Sequence, residues 1–348
     1  MVGRRSNAFT AGLCFAAFAA GSRFLLAGGT ALMSLSAIPA FAGPEGAVVT
    51  GGQANVQGQG SANVTVNQFS DKAIVNWHTF NIGANERTQF VQPNSSSVIL
   101  NRVTGGLGPS EILGRLDANG RVFVVNRDGF IFGAGAVINT AGFLATTSDI
   151  KNDDFMAGRY NFSIPGRSDA SIVNMGSITA TNGGFAGLVA PGVRNSGTIT
   201  AKLGTVVLGA GNIFTLDMYG DRLITLGLND QIAGSVKDVA TGQTLKSLIT
   251  NDGKLKANGG RVELTAAAAR QVVDSVINTS GVIEANSVGM KNGQIILGAA
   301  TASTKGDGLP TQTVRISGKL SAAGKRAGTK GGTILVTGED IQVTGATI

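Results

Sequence analysis

NRVTGGLGPSEILGRLDANGRVFVVNRDGFIFGAGAVINTAGFLATTSDI, residues 101–150, decides the fold. At its centre, Arg121-Val122-Phe123-Val124-Val125 is a β-branched and aromatic run that stops at Asn126-Arg127-Asp128-Gly129. Phe130-Ile131-Phe132 follows, then Gly133-Ala134-Gly135. An apolar run, a short Asn/Asp/Gly segment and a second apolar run read as strand–turn–strand. Asn126 and Asp128 can bond neighbouring backbone, and Gly129 can take positive φ without a Cβ clash. The cadence returns all the way to the C-terminus, so this block is one unit of a repetitive β architecture.

Downstream the unit becomes countable. Gly176-Ser177-Ile178-Thr179-Ala180 is echoed as G-x-[ILV]-x-A from Gly197, Gly253, Gly281 and Gly318. A second apolar run opens after each one, led by Gly184, Gly204, Gly260, Gly293 and Gly332. The longest gap, from 197 to 253, is expected to hide one degenerate coil. Upstream, alternation over Ala62-Val64-Val66, Lys72–Trp77, Thr79–Gly83, Thr88–Gln92 and Ser97–Asn101 carries the strand pattern into the opening block. Short strands with Gly corners at this period predict an all-β fold: a single-stranded, right-handed parallel β-helix with an N-terminal cap and short β-hairpin excursions. On the order of a dozen coils of about 20–25 residues would stack to roughly 60 Å, at about 4.8 Å each. Inward Val, Ile, Leu and Ala would form the core, and Asn195, Asn278 and Asn292 fall near corners where amides can ladder. Ala266–Val273 has helix propensity but sits between β repeats, so a short excursion or distorted strand is expected there.

Composition agrees with this reading. Of 348 residues 52 are Gly, 43% are hydrophobic and only 14% are charged, which suits a turn-rich β core and excludes general disorder. Residues 1–42 read as an export signal: Arg4 and Arg5 open it, two apolar runs follow, and Ala40-Phe41-Ala42 supplies the small-x-small pattern for cleavage between Ala42 and Gly43. No later run is long and apolar enough for stable membrane insertion. Of the net +7, Arg4, Arg5 and Arg23 lie in the leader, which leaves +4, too dilute to argue for nucleic acid. The densest basic cluster is Lys319, Lys325, Arg326 and Lys330; a solvated loop is its plain reading, a contact with an anionic glycan its sharper one. Cys14, also in the leader, is the only cysteine, so no disulfide is expected in the mature chain, which would suit a chain that must pass unfolded through a second membrane.

Catalytic chemistry has little to build on. His78 is the only histidine, beside Trp77 in a strand, which excludes multi-histidine metal sites and reads as structural. Asp149, Asp153 and Asp154 match no hard-cation loop, and a solvated turn is expected around Lys151–Asp154. Asp217 with Asp221, or Asp149 with Asp153, could pair as carboxylates but lack a supporting constellation. Gly318–Lys325 has the wrong spacing for a phosphate loop. The expectation is a non-enzyme without cofactor or metal. Trp77, Phe80 and Phe132 are assigned to core or cap packing.

Several segments in order carry a family resemblance: Asn76-Trp77-His78-Thr79-Phe80-Asn81-Ile82-Gly83, Asn101-Arg102-Val103-Thr104-Gly105, Ile112-Leu113-Gly114, and Val124 through Gly133. Together they resemble the haemagglutination-activity, or two-partner secretion, domain of filamentous-haemagglutinin-like exoproteins. The resemblance spans about residues 43–300, with 301–348 as the start of further β-helix repeats in a longer protein. It implies a Gram-negative exoprotein whose secretion motif includes Asn101, Arg102, Asn126, Arg127, Asp128 and Gly129. Its partner would be an outer-membrane TpsB-type transporter, whose POTRA domains meet the chain in the periplasm before it folds at the surface. The family turn typically reads Asn-Pro-Asn-Gly; here Arg127 replaces the residue that presets φ, while Asp-Gly keeps the rest of the turn code. Presentation of an adhesin to a host or neighbouring cell, by contact with glycan or protein, is the default activity of such a rod. Carriage of a contact-dependent toxin, haem acquisition and, last, polysaccharide degradation are the alternatives.

The inward assignment of Val206 is directly testable. Val206→Asp should destabilise the fold by several kcal/mol, through an unpaired buried ion. Unchanged melting would place Val206 on an outward face.

Overall fold

The computed structural model describes residues 43–348 except 219, 221–222, 228–229, 270–271, 300–311 and 326. The expected signal peptide, including Ala42, therefore lies outside the described residues.

Two columns of glycine set the winding. A Cβ on Gly197, Gly253, Gly281 or Gly318 would strike the carbonyl oxygen of the glycine one coil earlier: Gly176, Gly197, Gly253 and Gly281 respectively. The second column behaves alike, Gly204 against Gly184, Gly260 against Gly204 and Gly332 against Gly293. Close backbone approach at the corners, which only glycine permits, is the physical content of the repeat.

Between these corners the chain lays down three parallel ladders. On the first face nine strands stack, beginning at Asn63, Arg87, Arg115, Val137, Ser177, Thr198, Lys254, Val282 and Lys319. The second face runs from Lys72–Trp77 through Val98–Val103 and Arg121–Val125 to Thr205–Ala210, Arg261–Ala266, Gln294–Ala299 and Thr333–Thr337. The third begins at Ser110–Ile112 and ends at Asp340–Val343. Val137–Thr146 and Ser177–Ala190 each bend through a corner and serve two faces. The described residues form a right-handed parallel β-helix, the hand that parallel crossovers take. Inward Val, Ile, Leu and Ala fill one continuous core from Val64 to Ala322.

The N-terminal cap consists of Val48–Gly51 and Ala54–Gln57, which run antiparallel to the first coil's strands. Of the expected strand Thr79–Gly83, isolated bridges remain at Thr79 and Ile82. The expected division between residues 300 and 301 falls outside the described residues, and the coil resumes at Thr313–Ile316 in register with Ile277–Thr279.

Three expectations are corrected. Among the described residues nine coils stack, rather than about a dozen, giving about 40 Å at about 4.8 Å per coil. The gap from 197 to 253 hides no coil: Val193 pairs directly with Ile249, Thr198 with Lys254 and Thr205 with Arg261. The intervening chain leaves the helix, and its strands Phe214–Leu216 and Ile224–Leu226 form an antiparallel pair. Phe214–Leu216 also pairs with Asn161–Phe162 from an earlier excursion. The charged stretch at Lys151–Asp154, expected to be a solvated turn, leads into a short helix, Asn152–Ala157, which buries Phe155. Asp153 and Asp154 occupy its first turn, where they complement the helix dipole.

These excursions cover a second apolar core on the outside of the second face. Ile74, Leu100, Phe123, Leu144, Val189 and Val207, one from each of six successive coils, meet Phe155, Phe162, Phe185 and Phe214. Phe123 is its hub, with ring centroids 6.1 Å from Phe155 and 5.6 Å from Tyr160. Phe162 and Phe214 stack at 4.6 Å and so join the two excursions. Ala266 ends its strand, Ala267 still bonds Ala210 O at 2.8 Å, and Ala268 bridges to Gln231, a distorted strand continuation.

Phe214→Ala should lower stability by about 3–5 kcal/mol, the range for removing a buried phenylalanine ring. Thermal or denaturant unfolding reads this out. A wild-type midpoint would mean that the outer sheet lies outside the cooperative fold.

Candidate functional site

The residues expected to form the secretion motif span two successive strands of the second face and the turn after the later one. Asn101 pairs with Val75 and Val124, and so its side chain shares the inward direction of the core. It is fully buried, and its amide resolves the polar end of Trp77: Trp77 Nε1 donates to Asn101 Oδ1 at 3.0 Å. Asn101 Nδ2 donates in turn to Phe123 O at 3.2 Å. Phe80 meets Trp77 edge-on at 5.5 Å, and Phe132 stacks on Phe130 and contacts Phe143, both at 5.9 Å. Trp77, Phe80 and Phe132 are all buried in the same core.

Arg102, one residue on, faces the other way. Its Nε lies 2.8 Å from each Asp149 oxygen, Nη1 donates to Asn152 Oδ1 at 2.9 Å and Asn76 Oδ1 at 3.2 Å, and Nη2 donates to Ile150 O at 2.7 Å. Arg102 thereby clasps the start of the first excursion to the coil. Asp149, considered as a cation ligand from sequence, is spent on this clasp, and Asp154 pairs with Arg159 at 2.7 Å. No cluster of three metal-ligating groups exists among the described residues.

The turn has the geometry that its residues dictate. Gly129 N donates to Asn126 O at 3.1 Å, Asp128 N donates to Asn126 Oδ1 at 3.0 Å, and Gly129 has φ 102°. A Cβ at Gly129 would meet Ser171 O. Asn126 is 3% exposed, and its Nδ2 donates to Gly108 O at 3.1 Å and Ser110 Oγ at 2.9 Å, which pins the glycine-rich loop of the preceding coil. Arg127 alone points to solvent, while Asp128 lies 3.6 Å from Arg167. Arg167 reaches Asp169 at 3.1 Å, and this hydrogen bond holds the Asp169 carboxyl below its ordinary value and raises the Arg167 guanidinium. Arg194 closes the loop cluster on Asp238 at 2.6 Å. Farther along the first face, burial raises the Asp117 carboxyl, but hydrogen bonds from Arg115, Arg87 and Asn139 outweigh it and leave it lowered.

The expected motif residues are thus brought together in part. Arg102 pairs with Val125, next to the turn, whereas Asn101 is committed to the interior with Trp77. Gly43 is buried at the start of the described chain. Sequence reasoning missed Asp149, Asn152, Ser110 and Arg167 as partners. Of the three amides expected to ladder, Asn195 does so, in a column that runs Asn174–Asn195–Asn251–Thr279 at 2.7, 2.8 and 3.2 Å, whereas Asn278 is half-exposed and Asn292 exposed. Each rung sits two residues before a repeat glycine, so the signal was present in the chain.

Arg102→Ala should cost about 2–3 kcal/mol, discounted from the roughly 3–5 of a fully buried pair because both side chains keep some exposure. Limited proteolysis should then cut within residues 147–170. Arg102→Lys should not restore protection, since one ammonium cannot span acceptors on Asp149, Ile150 and Asn152. Wild-type resistance in Arg102→Ala would show that the clasp does not hold the excursion.

Comparison with known proteins follows this geometry. The TPS secretion domain family matches residues 40–309. The chain is 34% identical over 264 residues to a protein of Haemophilus influenzae strain Rd described as heme/hemopexin-binding, which covers 74% of this chain and 27% of that protein. A second Haemophilus influenzae protein of the same description is 32% identical over 260 residues. The chain therefore spans about a quarter of the length of these relatives. Among solved structures, the HMW1 secretion domain of Haemophilus influenzae superposes with a TM-score of 0.68 at 32% identity, covering 87% of this chain and 73% of that one. The chain belongs to the two-partner secretion domain family, exoproteins exported through a TpsB-type outer-membrane transporter.

Proposed function

We propose that the chain is the export head of a longer exoprotein, read by the POTRA domains of its transporter as an extended segment and closed into coils only outside the cell. One observation carries this reading: in the folded domain the turn has already used its polar groups. Asn126 is buried and bonded to the chain itself, and only Arg127 is offered to solvent. A partner that reads Asn126 must meet it before the coil closes. β-augmentation is the physical route, with an extended segment adding to an exposed POTRA sheet edge through the donors and acceptors that later join coil to coil. With Cys14 the only cysteine, no disulfide within the chain locks it beforehand.

In this proposal residues 1–42 are the signal peptide, removed between Ala42 and Gly43, and the destination is the cell surface. The relatives' description favours binding of haem or hemopexin as the activity of the longer protein. That displaces adhesion to host or neighbouring cells as the leading reading, with toxin carriage behind both. The chain itself is assigned no catalytic step. His78, its sole histidine, is engaged through its backbone with Glu45 at 2.9 Å.

Co-expression with the transporter tests the reading. The chain should reach the medium with the transporter and stay in the periplasm without it. Val206→Asp, which damages the coil and spares the recognition segment, should still bind isolated POTRA domains, whereas Asn126→Ala should bind them weakly. The reverse pattern would mean that the folded domain is what the transporter reads. Equal release without the transporter would remove the export role.

A further inference from the structure

Lysines collect on one side of the last four coils. Lys254 and Lys319 are exposed on the first face in a single column, Thr198–Lys254–Val282–Lys319, two coils apart. Lys202, Lys291 and Lys325 are exposed in the turns that join this face to the second. Two acidic groups lie among them: Glu284 is 3.9 Å from Lys256, and Asp252 keeps an exposed carboxylate that accepts from Ser280 Oγ at 2.7 Å. Elsewhere several arginines are matched by carboxylates, Arg87 and Arg115 by Asp117, Arg102 by Asp149 and Arg194 by Asp238. Lys202, Lys254, Lys291, Lys319 and Lys325 therefore make a local concentration of positive charge on this side of the stack.

The rest of the face narrows the partner. Next to the lysines its outward positions carry hydroxyls, Ser177 and Thr179 in one coil and Thr198 and Thr200 in the next, all half-exposed. Single-stranded nucleic acid asks for aromatic stacking platforms, and membrane surfaces for an apolar band beside the charge. The outward positions of these strands supply neither.

We infer that this face binds a linear acidic polysaccharide laid along the stack of coils. The ammonium groups of Lys254 and Lys319 recur at about 10 Å, two inter-strand steps. That spacing suits anionic groups repeating once per disaccharide in an extended sulfated or uronate polymer. The hydroxyls of Ser177, Thr179, Thr198 and Thr200, on the two coils before Lys254, continue the face and meet sugar hydroxyls there. The surface belongs to the folded domain, so the inference does not rest on how the chain is exported.

The test is titration of the purified chain with a heparin-derived oligosaccharide at low and at physiological ionic strength. K254Q/K319Q should weaken binding about tenfold, as expected for the loss of two exposed charge contacts, and should flatten its salt dependence. K254R/K319R should restore binding, and K151Q/K246Q, which removes the same charge away from this face, should leave it within about twofold. Equal weakening by K254Q/K319Q and K151Q/K246Q would overturn the inference by reducing it to net charge. Absence of wild-type binding, or equally tight binding to vesicles of anionic phospholipid, would overturn it too.

Discussion

Every part of this domain depends on coils stacking in register through close backbone contact at glycine corners. A Cβ at Gly204, Gly260 or Gly332 would strike the carbonyl of the glycine beneath it, so coil spacing and strand register are set together. Once the corners are fixed, side chains of equal position fall into columns. Val206, Val262 and Ile295 continue one apolar column, and Asn174, Asn195, Asn251 and Thr279 continue one polar one. The buried amides are tolerable because each hands its hydrogen bond to the next rung, so the ladder opposes slippage as well as satisfying polarity.

Much of this was legible from the chain. Repeat glycines, alternation and the Asn126–Gly129 turn are local signals, and they gave the architecture and the turn geometry. Long-range consequences were harder to read. Val122-Phe123-Val124-Val125 is apolar at consecutive positions, the mark of a strand covered on both faces, yet what covers Phe123 arrives from Phe155, Phe162 and Phe214 far along the sequence. The interval from 197 to 253 was misread because its length suggested a coil, whereas its turn-rich content, Asp217-Met218-Tyr219-Gly220 among it, fits an excursion. Asn278 was chosen for the ladder over Thr279, its neighbour, although period-two geometry sends adjacent side chains to opposite faces. Arg102 looked like part of a linear motif, and only tertiary structure supplies Asp149 and Asn152 as the reason for an arginine there.

The same construction connects fold to export. Each completed coil presents a free edge on which the next can form, so a chain arriving N-terminus first can fold progressively without waiting for distant segments. The outer sheet departs from that order. Phe214 closes over Phe162 only after the sixth coil has been reached, which ties coils one to six together as a late step. A domain built this way can travel as an unlinked string and gain rigidity at its destination.

Amide hydrogen exchange, followed strand by strand, is the most direct measure of whether stacking itself supplies the stability. Protection should be greatest in Thr205–Ala210 and Arg261–Ala266, which have parallel partners on both sides, and least in Asp340–Val343, paired on one side only. Protection as strong in Asp340–Val343 as in Thr205–Ala210 would contradict an account in which each coil is held by its neighbours.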